Sequence, residues 1–255
     1  MLTDVNGVNS DEQVSLEPGV LPRRERVRAA TEAEILDTAR QLLADGGPSA
    51  VTLREVGRRM GITASALYRY FDGRAALLDA LIASFFVELT AAVSAPGVRS
   101  VPDTAMAGNK RILHDLMAAS HAFRNWSLAH PAEFGLMFGP ADPEWTNDDC
   151  ILTAKAGEGF AGVFAGMFAR GVDVSKAHDG MLFGGLPPAL AELFSRAWVR
   201  LLGTVSVEVF QQTAFLSADP DRIFELEMSM CGDLISRELQ DLQGGRSTGL
   251  VRASH

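Results

Sequence analysis

Cysteine is almost missing from this chain. Only Cys150 and Cys231 occur, far apart, outside any CxxC pattern and without neighbouring histidines. A disulfide framework and a zinc site are therefore not expected, and a reducing cytoplasm is. A redox-sensing thiol is the one role left open. No run approaches about 18 uninterrupted apolar residues, so no membrane span is expected. The N-terminus lacks the basic-then-apolar order of a signal peptide. There is no Gly-rich phosphate loop, no G-x-S-x-G and no paired metal motif, which argues against an enzyme and implies no cofactor. His114, His121 and His130 are spaced by seven and nine, not by the three or four that set two ligands on one helix face. Surface or capping roles suit them better. No segment alternates as a strand does, and no repeat recurs.

Positive charge is also short overall. The net charge is −9, which reads at first against a nucleic-acid partner. Its distribution reverses that reading. Pro22 to Phe85 holds ten Arg against eight Asp or Glu, leaving −11 for the rest. A basic end on an acidic body offers one face to phosphate and repels it elsewhere. At 255 residues the chain can bury a sizeable core in one or two domains.

What is present centres on Val51 to Leu78, VTLREVGRRMGITASALYRYFDGRAALL. Thr52 reads as a helix N-cap, with Glu55 placed to close a capping box. That helix runs to about Met60, and Gly61 supplies a left-handed end. Thr63 caps a second helix, Ala64 to about Tyr70, whose Leu67 and Phe71 face the core. A short corner containing Gly between two short helices is the helix-turn-helix, whose second helix enters the major groove. Thr63, Ala64, Ser65, Ala66, Tyr68, Arg69 and Tyr70 then surround its exposed side. Small residues at its start allow close approach to base edges. Tyr68 and Arg69 reach phosphates, and Arg69 can reach a guanine. Thr52 and Arg54 on the preceding helix join this face. The same spacing also suits a hairpin that merely packs.

The run TLREVGRRMGITASALYRYFDGRAALL resembles the DNA-binding signature of TetR-type transcriptional regulators. The likeness rests on L-Y-x-x-F, a basic residue three after Phe71, and the following Leu-Leu. One departure is Asp72-Gly73, where the family often has Pro-Ser, Pro-Asn or Lys-Asn. The cap of the next helix is then weaker or shifts to Asp72, and Arg74 is expected to take more of the backbone contact. Before this unit, Pro22-Arg23-Arg24-Glu25-Arg26-Val27-Arg28 reads as an arm. Arg24, Arg26 and Arg28 would touch phosphate or reach the minor groove, unless the run is only a solvated charge cluster. Thr31 is expected to cap the first long helix, which carries Ile35, Leu36, Ala39, Leu42 and Leu43 and ends at Gly46-Gly47-Pro48.

The expected architecture is all-α. Residues 1–21 form a disordered tail, 22–75 a three-helix helix-turn-helix domain with its basic arm, 76–242 a larger helical domain for ligand binding and dimerisation, and 243–255 a second tail. Arg74 to about Ala95 is one long amphipathic helix. The body follows as helices from Thr104 to His121, Ala122 to Ala129, Pro131 to Phe138, Asp148 to Arg170, Ala189 to Leu216 and Asp221 to Leu242. Pro131 forces a break near His130. Four glycines in the helix after Asp148 imply either tight packing or the lining of a space. The Gly-rich loop 171–188 is a candidate gate.

AFRNWSLAHPAEFGLMF and AWVRLLGTVSVEVF resemble the C-terminal domain of an actinobacterial-looking TetR subgroup. Its Trp-x-x-Leu-His-Gly pattern has Leu202 here in place of His, which implies a more apolar ligand. The resemblance also implies that the last two long helices pair in a four-helix homodimer interface. Phe123, Trp126, Phe134, Met137, Phe160, Phe164, Met167, Trp198 and Leu202 are the candidate ligand-binding residues, with plain core packing the competing role for each. Two functions follow. One is a cytoplasmic homodimeric repressor of a palindromic double-stranded DNA operator, released by a small hydrophobic effector. The other is an effector-independent module that binds DNA or protein, with a sealed helical body.

Overall fold

The computed structural model describes residues 22–95, 108–140, 150–169, 188–212 and 219–243. Every element among them is helical, as expected. Helix α1 spans Arg23–Gly46, α2 Leu53–Met60, α3 Ala64–Leu67 and α4 Gly73–Ser94, with a short 3-10 turn at Pro48–Ala50. The rest comprises α5 Asn109–Ala129, α6 Pro131–Phe138, α7 Ile151–Ala169, α8 Pro188–Val209 and α9 Pro220–Gln243. The two expected tails, the loop after α4 and the candidate gate before Pro188 lie outside the described residues.

The first helix starts earlier than the position of Thr31 predicts. It begins at Arg23, directly after Pro22, so Thr31 is an interior residue and not a cap. Its hydroxyl donates to the Val27 carbonyl at 3.0 Å, the back-bond a mid-helix Thr makes. Arg28 pairs with Glu32 one turn on, at 2.8 Å. The basic arm is therefore a helical extension, exposed along residues 22–30. Further on, Ile35, Ala39, Leu42 and Leu43 are buried with Val56 and Leu67 in the core of the head. Each fully buried Leu or Ile of this kind stabilises by about 1.5–3 kcal/mol.

Helix α4 serves two cores. Leu77, Leu78, Leu81, Phe85, Leu89 and Val93 are all buried, and α4 meets α1 and α2 on one side and α5, α6 and α7 on the other. Enclosure on both sides explains why α4 is long and apolar enough, by length and composition, to cross a membrane. Arg74, Asp79 and Glu88 interrupt it, so it is not an uninterrupted apolar run.

The break expected at Ala122 is absent: α5 runs unbroken to Ala129. The chain does break at His130, where Pro131 opens α6 and the His130 ring nitrogen Nδ1 lies 2.8 Å from the Trp126 carbonyl. Arg124 of α5, buried beside the Phe224 ring, bonds Glu208 of α8 and Asp221 of α9. Those carboxylates hold its guanidinium above its ordinary pKa, although burial opposes the charge. This ion cluster fastens α5 to the adjoining ends of α8 and α9.

Helix α7 packs against α4, as expected of it, but not through three of its four glycines. A side chain at Gly159, Gly162 or Gly166 would meet nothing among the described residues, and all three are exposed. Only Gly157 approaches a neighbour, the Phe86 ring. The start of α7 is instead held from a distance. Asp79 of α4, buried, accepts the backbone N–H groups of Leu152 at 3.0 Å and Thr153 at 2.8 Å. Those are unpaired donors of a helix N-terminus, so Asp79 caps α7 from another helix.

Candidate DNA-binding face and its connection to the body

The corner between α2 and α3 is built from a few residues. Thr52 caps α2 by accepting the Glu55 N–H at 3.2 Å. The box is not closed, because the Glu55 carboxylate turns to Arg58, with contacts of 2.6 and 3.0 Å. That bond holds the Glu55 carboxyl below its usual range and raises the Arg58 guanidinium. Gly61 ends α2 at φ +70°, a conformation that a side chain disfavours. The Ile62 N–H then donates back to the Gly57 carbonyl at 3.0 Å. A Cβ on Gly57 would sit 2.8 Å from the Ile62 carbonyl oxygen, so the corner closes only over glycine.

Thr63 caps α3 through the Ala66 N–H at 3.3 Å, and its hydroxyl meets that of Ser65 at 3.0 Å. Regular α-helix stops at Leu67, shorter than expected, and tighter turns carry the chain through Tyr70. Leu67 and Phe71 point into the core. Tyr68 is 59% exposed, and Thr63, Ser65 and Arg69 are exposed beside it. Ala64, Ala66 and Tyr70 are partly covered. The Arg28 guanidinium lies 5.5 Å from the centre of the Tyr70 ring. This contact ties the helical arm to the end of the recognition segment.

The arginines divide into two sets. Arg28, Arg40, Arg58 and Arg59 each pair with a carboxylate of the chain. Arg24, Arg26, Arg54 and Arg69 show no such partner among the described residues, and all are exposed. Arg74, expected on the DNA backbone, is engaged elsewhere. Its Nε donates to the Val51 carbonyl at 3.1 Å and another of its nitrogens to the Pro48 carbonyl at 2.9 Å. It is half-buried and staples α4 to the loop between α1 and α2. The Pro48 carbonyl also accepts the Val51 N–H at 3.2 Å, and the guanidinium fork reaches both carbonyls at once.

A second link joins the head to the body, and no sequence signal marks it. Arg40 of α1 donates to Glu133 of α6 and to Glu88 of α4, each at 2.7 Å, with its guanidinium over the Phe85 ring. Burial works against the charge, but the two carboxylates outweigh it and raise the guanidinium pKa. The partners lie 93 and 48 residues away, so local spacing could not reveal them.

The nine candidate ligand residues do not surround one space. The Phe123 ring packs on Phe134, Phe138, Phe160 and Trp198, with ring centres 5.4–6.2 Å apart. Phe160 also packs on Phe164. Trp126 stacks on His130 instead, at 4.8 Å. Met167 is buried, and Met137 and Leu202 are half-buried against the core. Of the nine, only Phe164 and Trp198 line the apolar cavity in the body, about 40 Å³ between α5, α7, α8 and α9. Aromatic rings that fill each other's gaps satisfy the same periodicity as rings around a ligand.

Two family descriptions match. Residues 35–81 match the bacterial regulatory proteins of the tetR family. Residues 116–231 match a tetracyclin repressor-like C-terminal domain. An HTH-type transcriptional regulator of Mycobacterium tuberculosis (strain ATCC 25618 / H37Rv) is 26% identical over 225 residues, covering 80% of this chain and 92% of that protein. The crystal structure of the regulatory protein SCO4313 superposes with a TM-score of 0.65 at 28% identity, covering 83% of this chain and 98% of that one. A protein from Rhodococcus sp. RHA1 shares the fold at 21% identity and a TM-score of 0.56, covering 81% and 93%.

Proposed function

Since this chain belongs to the TetR family of transcriptional regulators, we propose that it is a homodimeric repressor of a palindromic operator in the cytoplasm, released by a small apolar effector. The observation that carries the reading is the exposed recognition segment, with Tyr68 and Arg69 projecting from a corner locked by Gly57 and Gly61. Thr63 to Ala66 present small side chains that let the backbone approach base edges, while Arg69 can form paired bonds to guanine. Arg24, Arg26 and Arg54 supply cations for phosphate. A helical arm changes what Arg24 and Arg26 do. A helix of about 10 Å diameter does not enter a minor groove about 6 Å wide, so they grip the backbone from outside it.

Dimerisation falls to α8 and α9. Val199 is 69% exposed, Leu226 55% and Met230 57%, on the surface turned away from the core. A second copy pairing there would give the four-helix interface and set two recognition segments about one helical turn of DNA apart, or a multiple of it.

The test uses Tyr68→Ala against binding-site selection from random duplexes. The wild type should enrich a palindrome, and the variant should bind that palindrome at least tenfold more weakly while keeping its helical circular dichroism. Enrichment of non-palindromic DNA, or undiminished binding by the variant, would overturn the reading. One observation favours the effector-independent module: the aromatic rings of the body pack on each other. A screen in which no apolar compound alters operator affinity would support that module.

A further inference from the structure

We propose that the cavity between α5, α7, α8 and α9 is a binding site for a neutral, apolar small molecule and that it rejects carboxylates and ammonium ions. This rests on the effector reading above and narrows its chemistry. The walls come from two directions. Met117 and Ser120 stand on α5, Trp198 on α8, and Met228, Cys231 and Gly232 on α9, with phenylalanines of α7 and α8 closing the rest. No charged side chain lines it among the described residues. Its polar side-chain groups are all uncharged: the Ser120 hydroxyl, which already donates to the Leu116 carbonyl at 2.8 Å, the Cys231 thiol and the Trp198 indole N–H. Burial pushes the Cys231 thiol up, so it stays neutral.

An ion entering such a space would lose its hydration and meet no opposite charge among the described residues, a penalty of several kcal/mol per ion. An uncharged ring or short hydrocarbon gains dispersion contacts on every side. The cavity volume of about 40 Å³ is smaller than such a guest. Two features let it widen. Met117 and Met228 have unbranched thioether side chains that change rotamer readily. Gly232 leaves a gap: a Cβ there would meet nothing within 4 Å.

The experiment follows ¹⁹F resonances of fluorobenzene, 4-fluorobenzoate and 4-fluorobenzylammonium with the full-length protein. Fluorobenzene should bind with a saturable shift, and the two ions at least about tenfold more weakly. Gly232→Leu should fill the gap and abolish fluorobenzene binding while keeping operator affinity. Ala197→Leu should do the same from α8, which covers the case in which Gly232→Leu misfolds. Binding of the benzoate as tight as fluorobenzene, no binding up to the solubility of fluorobenzene, or binding unaltered in both folded variants would each overturn the proposal. Operator affinity measured alongside separates the two readings. Saturable binding lost in Gly232→Leu, without any change in DNA affinity, would sink the effector reading and leave the site. DNA release that persists in both variants would do the reverse.

Discussion

Arg40 of the first helix and Glu133 of the sixth meet at 2.7 Å, and the pair joins the DNA-binding head to the body without passing through α4. Glu133 is the more buried partner, with its side chain 10% exposed against 27% for Arg40. The next residue, Phe134, is fully buried in the aromatic cluster. A shift of that cluster therefore acts on α1 through one short helix.

Removing the cation leaves Glu133 buried and unpaired. Breaking a buried pair costs about 3–5 kcal/mol, and the partial exposure of Arg40 reduces that to about 2 kcal/mol. Arg40→Gln should lower the unfolding free energy by that amount in urea. Glu133→Gln added to it should restore part of the loss. A double variant no more stable than Arg40→Gln would contradict the pairing.

Arg74 and Arg54 should differ in how they affect DNA binding. Arg74→Ala opens two loop carbonyls and should cost about 1–2 kcal/mol of stability, leaving the salt dependence of operator binding unchanged. Arg54→Ala should leave stability within about 0.5 kcal/mol and lower the slope of log K against log salt by about one unit. Anisotropy titrations from low to high salt decide it. A reduced slope in Arg74→Ala would return that residue to the phosphate backbone.

Leu226→Glu places a charge on the proposed pairing face. The variant should sediment as a monomer at concentrations where the wild type is a dimer, and its operator affinity should fall at least tenfold because one recognition segment is lost. Sedimentation as a dimer by the variant would move the interface elsewhere.

Cys231 gives stability an alkaline limit. Its folded pKa is raised above the ordinary 9.0 by burial, so the native state holds the proton longer than the unfolded chain does. Below 9.0 both states are protonated and its contribution is complete; above it, stability falls as pH rises towards the folded value. The loss between pH 8 and 10 in urea should be smaller for Cys231→Ala than for the wild type. Equal losses would show that the thiol is not buried in solution.

The parts of the fold legible in the sequence are those set by neighbours along the chain. Thr52, Gly61, Thr63, Leu67 and Phe71 act within one or two turns, and each does locally what its residue type suggests. Thr31 is ambiguous in sequence because a threonine serves equally as a cap and as an interior residue that bonds back to the preceding turn, and a run of arginines carries no hydrophobic period to show helix. The charge of Arg74 is visible in sequence and its acceptors are not: Val51 and Pro48 offer backbone carbonyls that any residue has. Periodicity places the ligand candidates towards the core but does not distinguish rings that line a space from rings that fill it. The Arg40 and Asp79 contacts depend on pairs brought together only by the finished tertiary fold.

Asp79 has one more consequence. By holding the first free amides of α7, it welds the start of that helix to α4, the rod on which the reading head is mounted. A tilt of the rod would pull on the helix whose far end carries Phe164 and Phe168 of the cavity wall, so under the proposed function a guest and the reading head would tug on one shared beam.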